Sequence, residues 1–259
     1  MVIKKIRFNK RAQLSLFVIL GILVIIIVII FFTNKESLKI WFGKESPLEY
    51  INRCTKDYAN EGLEMLKMQG GSINPENYYM YQNYKVGYVC YTSEIYKRCV
   101  MQKPFLKEDF EVELKKFLTP RIEECLKKSE EIYGKKGYSF SYKKPDVNVS
   151  INFNNILIKS NLDMVIDKDG KKENYKDLNV NIDSGLYELL MIESSIANWE
   201  ARYGDSESMV YMYYYPNLKV EKKIQSDGTR IYILTNRKTN EKLMFASKSV
   251  VFPPGVTGS

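Results

Sequence analysis

The chain contains no histidine. That absence removes imidazole acid–base chemistry, Ser-His-Asp triads and histidine metal sites together. Acidic residues are missing from the first 32 positions, where Lys4, Lys5, Arg7, Lys10 and Arg11 stand alone. The remaining 227 residues carry 34 basic and 31 acidic side chains, so most of the net charge of +8 sits at the N-terminus. Such a distribution is a topology signal, not a nucleic-acid-binding face. No P-loop, GxGxxG or GxSxG is present. These absences predict no catalytic residue, no cofactor, no metal and no nucleic-acid partner.

Among what is present, Gln13 to Phe32 is an uncharged apolar run of 20 residues. At 1.5 Å per residue it reaches about 30 Å, the hydrocarbon thickness of a bilayer. The basic cluster before it predicts a single-pass membrane protein with a cytoplasmic N-terminus and an extracellular C-terminal domain. The lipid bilayer is then a partner through residues 13–32. The run is longer than a secretory signal core and no small-x-small site follows it, which favours a retained span over a cleaved peptide. Trp41 and Phe42 suit an interfacial anchor. The resulting organisation is a basic leader over 1–12, a transmembrane helix over 13–32, a linker over 33–45, an extracellular domain over 46–254 and a tail over 255–259.

Ser46-Pro47-Leu48-Glu49 reads as a capping box with proline at the first helical position. It predicts a helix over about 47–69, stopped by Gly70-Gly71. Tyr78 to Tyr91 is strand-like. A second helix is expected from Leu106 to Tyr133, kinked or divided at Pro120. Val147, Val149, Ile151 and Phe153 alternate with polar residues, and turns at Asn154-Asn155 and Asp169-Gly170 predict an antiparallel meander to Ile182. A third helix is expected over about 185–203, its apolar set including Ile196 and Trp199. Extended pieces follow at 211–215 and 218–224, then a hairpin from Arg230 to Val251. The fold class is α+β: a long N-terminal transmembrane helix, then about three helices packed on antiparallel sheet.

Cys54, Cys90, Cys99 and Cys125 form an even set, which implies two disulfides outside the cytosol. Three pairings are open. Closeness in sequence favours Cys90–Cys99, and positions on the apolar faces of two helices favour Cys54–Cys125. No CxxC pair supports a zinc site. Glu123-Glu124 and Glu130-Glu131 look like paired catalytic acids, but the interleaved Lys127 and Lys128 read as a solvated helix face. Asp167-Lys168-Asp169-Gly170 reads as a turn and not a calcium loop. Asn148-Val149-Ser150 is a glycosylation acceptor motif at Asn148. Tyrosines cluster at Tyr78, Tyr79, Tyr81 and again at Tyr213, Tyr214, Tyr215. They are either core residues or a binding surface for an unknown surface partner.

Lys10-Arg11-Ala12-Gln13-Leu14-Ser15 resembles the class III signal sequences of archaeal type IV pilin-like proteins. That resemblance implies cleavage by a prepilin peptidase between Ala12 and Gln13, and pilin-like subunits as partners. Phe17 departs from the pattern, since many pilins carry glutamate there. More widely the chain resembles a set of surface proteins encoded by small-genome archaea. The matching segments are Tyr50-Ile51-Asn52-Arg53-Cys54, Glu61-Gly62-Leu63, Gln69-Gly70-Gly71, Arg121-Ile122-Glu123-Glu124-Cys125, Val147-Asn148-Val149 and Val251-Phe252-Pro253-Pro254. The helical cysteines recur in that set, which implies the pairing of Cys54 with Cys125, and it brings no enzymatic activity. The expected function is a membrane-anchored, pilin-like cell-surface protein in attachment or filament assembly. A non-polymerising receptor or scaffold is the alternative, and an extracytoplasmic enzyme a third class.

Overall fold

Ser46 and Glu49 close the expected capping box. The Ser46 hydroxyl accepts from the Glu49 N–H at 3.2 Å, and Glu49 Oε2 accepts from the Ser46 N–H at 2.8 Å. Helix α1 then runs over Pro47–Met68. The computed structural model describes residues 19–26 and 45–251. The chain divides into two compact units, Met1–Tyr50 and Ile51–Ser259.

The expected transmembrane helix is corrected here. Among the described residues no helix is long and apolar enough to cross a membrane. The described part of the apolar run is a helical stretch over residues 19–26. At 1.5 Å per residue it covers about 12 Å, well under half a bilayer core. The single-pass localisation, with a cytoplasmic N-terminus and an extracellular domain, is overturned with the span. The leader over 1–12, the Ala12–Gln13 junction, most of the 33–45 linker and the 255–259 tail lie outside the described residues.

In the second unit the remaining elements are β1 (Tyr78–Tyr81), β2 (Tyr84–Tyr91), β3 (Val100–Met101), α2 (Leu106–Gly134), β4 (Tyr138–Ser141), β5 (Asp146–Ile151), β6 (Asn155–Lys168), β7 (Lys171–Asp183), α3 (Leu186–Tyr203), α4 (Ser208–Tyr214), β8 (Leu218–Ile224), β9 (Arg230–Asn236) and β10 (Lys242–Lys248). They build two sheets, not one. The first has the order β1-β2-β10-β9-β8 with β3 also on β2, and its β2–β10 pair is parallel. The second centres on β6, with β7 on one side and β5 and β4 sharing the other.

The second sheet is the meander that alternation predicts. Along β5 and β6 every second residue is buried, from Val147 and Val149 to Met164 and Ile166. That face packs under α2, whose buried Phe110, Leu114, Leu118, Ile122 and Leu126 recur at helical spacing. Pro120 does not divide α2, which is continuous through it. The carbonyl that loses its helical donor there is that of Lys116; on either side of it Arg121 donates to the Phe117 carbonyl and the Thr119 hydroxyl to that of Lys115.

Helices α1 and α2 run antiparallel, since Cys54 bonds Cys125 while Gly62 lies against Phe117. A Cβ at Gly62 would stand 2.7 Å from the Phe117 ring, so glycine sets this close approach. The Cys54–Cys125 bridge closes a separation of 71 residues, and Cys90–Cys99 one of 9. Both disulfides match the favoured pairing.

Three local expectations fail. Tyr78–Tyr91 is a hairpin, because Gln82 and Asn83 take positive φ of 47° and 68° and reverse the chain in two residues. Residues 211–215 are not extended: most belong to α4, whose start is capped by the Glu207 carboxylate accepting from the Met209 N–H at 3.2 Å. Phe153 is not a strand residue but stands in the β5–β6 turn, 57 % exposed.

Candidate functional site

The two tyrosine clusters do not meet. Tyr78, Tyr79 and Tyr81 sit on β1, one outer strand of the first sheet, while Tyr213, Tyr214 and Tyr215 lie at the end of α4, beside β8 at the opposite edge. Tyr79 and Tyr81 turn inward and pack against the core group of Val86, Tyr88, Ile231, Met244 and Ala246. Tyr78 points out, with the Lys85 ammonium 5.1 Å from its ring centre. The first cluster is therefore largely structural.

The second cluster forms part of a cleft. Tyr214 and Tyr215 face Phe153, Tyr187 and Met191 across a cavity of about 370 Å³, with Glu188 at its wall. Four separate segments make it: the β5–β6 turn, the first turns of α3, the α4–β8 connection and the end of β9. Phe153 and Tyr187 hold each other edge to face, with ring centres 6.3 Å apart. Tyr213 lies outside, 81 % exposed, and supports Tyr214 at 5.3 Å. Leu189, Ile192, Pro216, Asn217, Leu218 and Asn236 complete the lining. Mostly apolar walls with a few polar groups are the usual make-up of a ligand cleft.

The α3 N-terminus that opens this cleft is set by a residue distant in sequence. Glu241 Oε2 accepts from the Gly185 N–H at 2.8 Å, and its Oε1 accepts from the Ser184 hydroxyl at 2.7 Å. The Ser184 oxygen in turn accepts from the Leu186 N–H at 3.1 Å, while Gly185 occupies the cap position and brings no side-chain cap bond of its own. The Lys67 ammonium lies 3.4 Å from the same carboxylate. The helix end is thus already neutralised.

An exposed stripe continues from the cleft along α3. Met191, Trp199 and Tyr203 are all exposed and recur at fourfold spacing, with Ser195 between them bonded to the Tyr211 hydroxyl. Trp199 therefore lies on the outer face of α3 and not in the core. It packs on Tyr203 with ring centres 4.8 Å apart.

The opposite face of α3 carries two buried carboxyls. Glu193 is fully buried, and neither of its oxygens has a hydrogen-bond partner among the described residues. Burial pushes its pKa up to about 8, against the pull of Lys103. Burial also lowers the Lys103 ammonium, which donates to the Gly70 carbonyl at 2.8 Å. Glu200 lies 3.3 Å from the Arg230 guanidinium and accepts from the Tyr232 hydroxyl at 2.5 Å. Burial still raises it to about 7, with Arg230 and Tyr232 opposing. Through Arg230 and Tyr232 of β9, Glu200 ties α3 to the first sheet.

A second, larger depression of about 820 Å³ runs past Lys103, Glu113, Lys116 and Arg121. The charges of Lys103, Glu113, Lys116 and Arg121 are engaged internally, while Glu61 and Glu76 at its rim are exposed. Glu113 accepts from Lys116, Ser72 and the Ile73 N–H. Arg121 lies over the Phe117 ring at 3.4 Å.

The other predicted residues stand apart from the cleft. Asn148 is exposed on β5. Glu123 and Glu124 pair with Lys127 and Lys128 at 3.0 and 2.6 Å, as a solvated helix face does. Asp169 and Gly170 make the β6–β7 turn with positive φ. Sequence reasoning missed Phe153, Tyr187 and Met191 as site residues. For Tyr187 and Met191 the available signal was the four-residue spacing of Tyr187, Met191, Trp199 and Tyr203 on α3, interrupted by Ser195; Phe153 carried none.

The chain matches no known protein family, no curated protein and no solved structure. The likeness to pilin-like proteins rests on the residues quoted for it alone.

Proposed function

We propose that this chain is a non-enzymatic recognition protein acting in attachment or surface assembly, and that the aromatic cleft is its contact site. The observation that carries the reading is the cleft itself: Phe153, Tyr214 and Tyr215 left exposed around the half-buried Tyr187, at one end of an exposed apolar stripe. Tyrosine supplies large contact area at low cost in side-chain entropy, and contiguous exposed apolar surface marks interaction sites. The two disulfides support folding in an oxidising compartment, where recognition modules are commonly stapled this way.

A pilin-like role in assembly is supported by the Arg11-Ala12-Gln13 junction. On that reading a prepilin peptidase cuts after Ala12 and pilin-like subunits are the partners. A mature N-terminus at Gln13, found by mass spectrometry on native protein, is the expected result, and an intact Met1 end would remove the pilin-like part.

The recognition reading is tested by binding of the labelled full-length chain to source-cell envelopes. Tyr187→Ala with Tyr215→Ala should lower binding at least tenfold at unchanged melting temperature, a loss typical of two interface aromatics. Tyr78→Ala with Met80→Ala, on the exposed face of β1, should leave binding unchanged. Equal losses from both pairs, or none from the cleft pair, would contradict it.

A further inference from the structure

The cleft's charge is one-sided. Glu188 is the single acidic or basic residue in its lining, beside Phe153, Tyr187, Tyr214 and Tyr215. Its side chain makes no hydrogen bond or ion pair among the described residues. The other carboxylate nearby, Glu241, is occupied by the α3 N-terminus and by Lys67. Glu188 is thus not needed to neutralise the helix end. Aromatic faces carry negative potential, and several rings around one carboxylate favour a cation with an apolar stem. An anionic ligand would meet no positive side chain in the lining.

We propose that the cleft receives the lysine or arginine side chain of a partner polypeptide. The stem would lie between Tyr187 and the Tyr214–Tyr215 segment, with the cationic head against the rings and the Glu188 carboxylate. The Asn217 side chain and the Asn236 amide N–H also line the cleft and suit the backbone beside such a residue; the Asn236 oxygen is taken by the Lys238 and Thr239 N–H groups. A polypeptide is favoured over a small amine because exposed apolar surface continues beyond the cleft through Met191, Trp199 and Tyr203. This inference rests on the recognition reading above and names the chemistry of the partner.

The test is a titration of the ¹⁵N-labelled full-length chain with three capped pentapeptides, followed by amide shifts. Their central residue is lysine, norleucine or N-acetyl-lysine, and methyl glucoside is titrated in parallel. The lysine peptide should shift amides over 187–192 and 214–218 and bind about threefold or more tightly than either uncharged peptide. Glu188→Gln, at an exposed position that leaves the fold intact, should abolish that preference. Equal affinity for the norleucine peptide would overturn the proposal in favour of a plain apolar groove. Stronger cleft shifts from methyl glucoside would overturn it in favour of a saccharide site. Both of those outcomes leave the recognition reading standing. The absence of cleft shifts with every probe would count against the cation site, and the envelope assay would then decide the broader reading separately.

Discussion

The half of the domain built from α1, α2 and the second sheet differs in kind from the half built from α3, α4 and the first sheet. In the former, polarity largely follows position: β5 and β6 alternate strictly, paired charges such as Glu123–Lys127 stay outside, and the buried polar groups are the small hydroxyls of Thr55, Ser129 and Ser160 and the ion-paired Lys67. In the latter the rule is broken in both directions. Glu193 and Glu200 are buried, while Met191, Trp199, Tyr203 and Tyr213 are exposed. Violations of patterning concentrate where a protein recognises something, because stability alone does not favour them. On the proposed reading the first half serves mainly as scaffold, lending Phe153 from the β5–β6 turn, and α3 carries most of the contact surface.

The comparison can be broken most forcefully at the disulfides. Replacing Cys54 and Cys125 with serine should cost about 4 kcal/mol on chain-entropy grounds, and replacing Cys90 and Cys99 about 3 kcal/mol. Denaturant titrations of the two double variants check the order.

Glu193 sharpens the contrast through pH. Its folded pKa of about 8 lies above the unfolded value of 4.5. The folded state keeps a proton that the unfolded state has released, so stability is fullest below about pH 4.5 and is lost as pH rises towards 8. Glu200, raised to about 7, acts in the same direction. Glu193→Leu removes a buried carboxyl without partners and should stabilise by about 1–3 kcal/mol, more at pH 8 than at pH 5. Thermal melts at the two pH values measure it. A melting temperature that rises from pH 5 to pH 8 in the unmodified chain would contradict the assignment.

Smaller effects are expected in the scaffold. Gly62→Ala forces the Phe117 ring to move, and after the gain in helix propensity the net loss should be about 1 kcal/mol. Gln82→Gly relieves a positive φ at the β1–β2 turn and should stabilise by about 0.5 kcal/mol. Urea midpoints resolve both.

The same contrast explains what could be read in the sequence. The capping box at Ser46, the spacing along α2 and the alternation from Val147 to Ile182 are local signals, and the structure follows them. Local signals failed where tertiary context decides. The tyrosines at 211–214 have strand propensity, yet a cap from Glu207 and packing beside β8 hold most of them in a helix. Trp199 reads as core because it is large and apolar, but only the placement of α3 shows which face is covered. The cleft was least legible, since Phe153, Tyr187 and Tyr215 lie in three segments that nothing in the sequence joins. The apolar run over 13–32 satisfied a length rule for a membrane span, while its described part forms a helix too short to cross one.

Hydrogen exchange of the full-length chain, free and bound to source-cell envelopes, tests the central assignment most directly. The account predicts new protection confined to residues 187–192 and 214–218, with exchange over β1 and β7 unchanged. Protection on β1 or β7 with the cleft unaltered would contradict it.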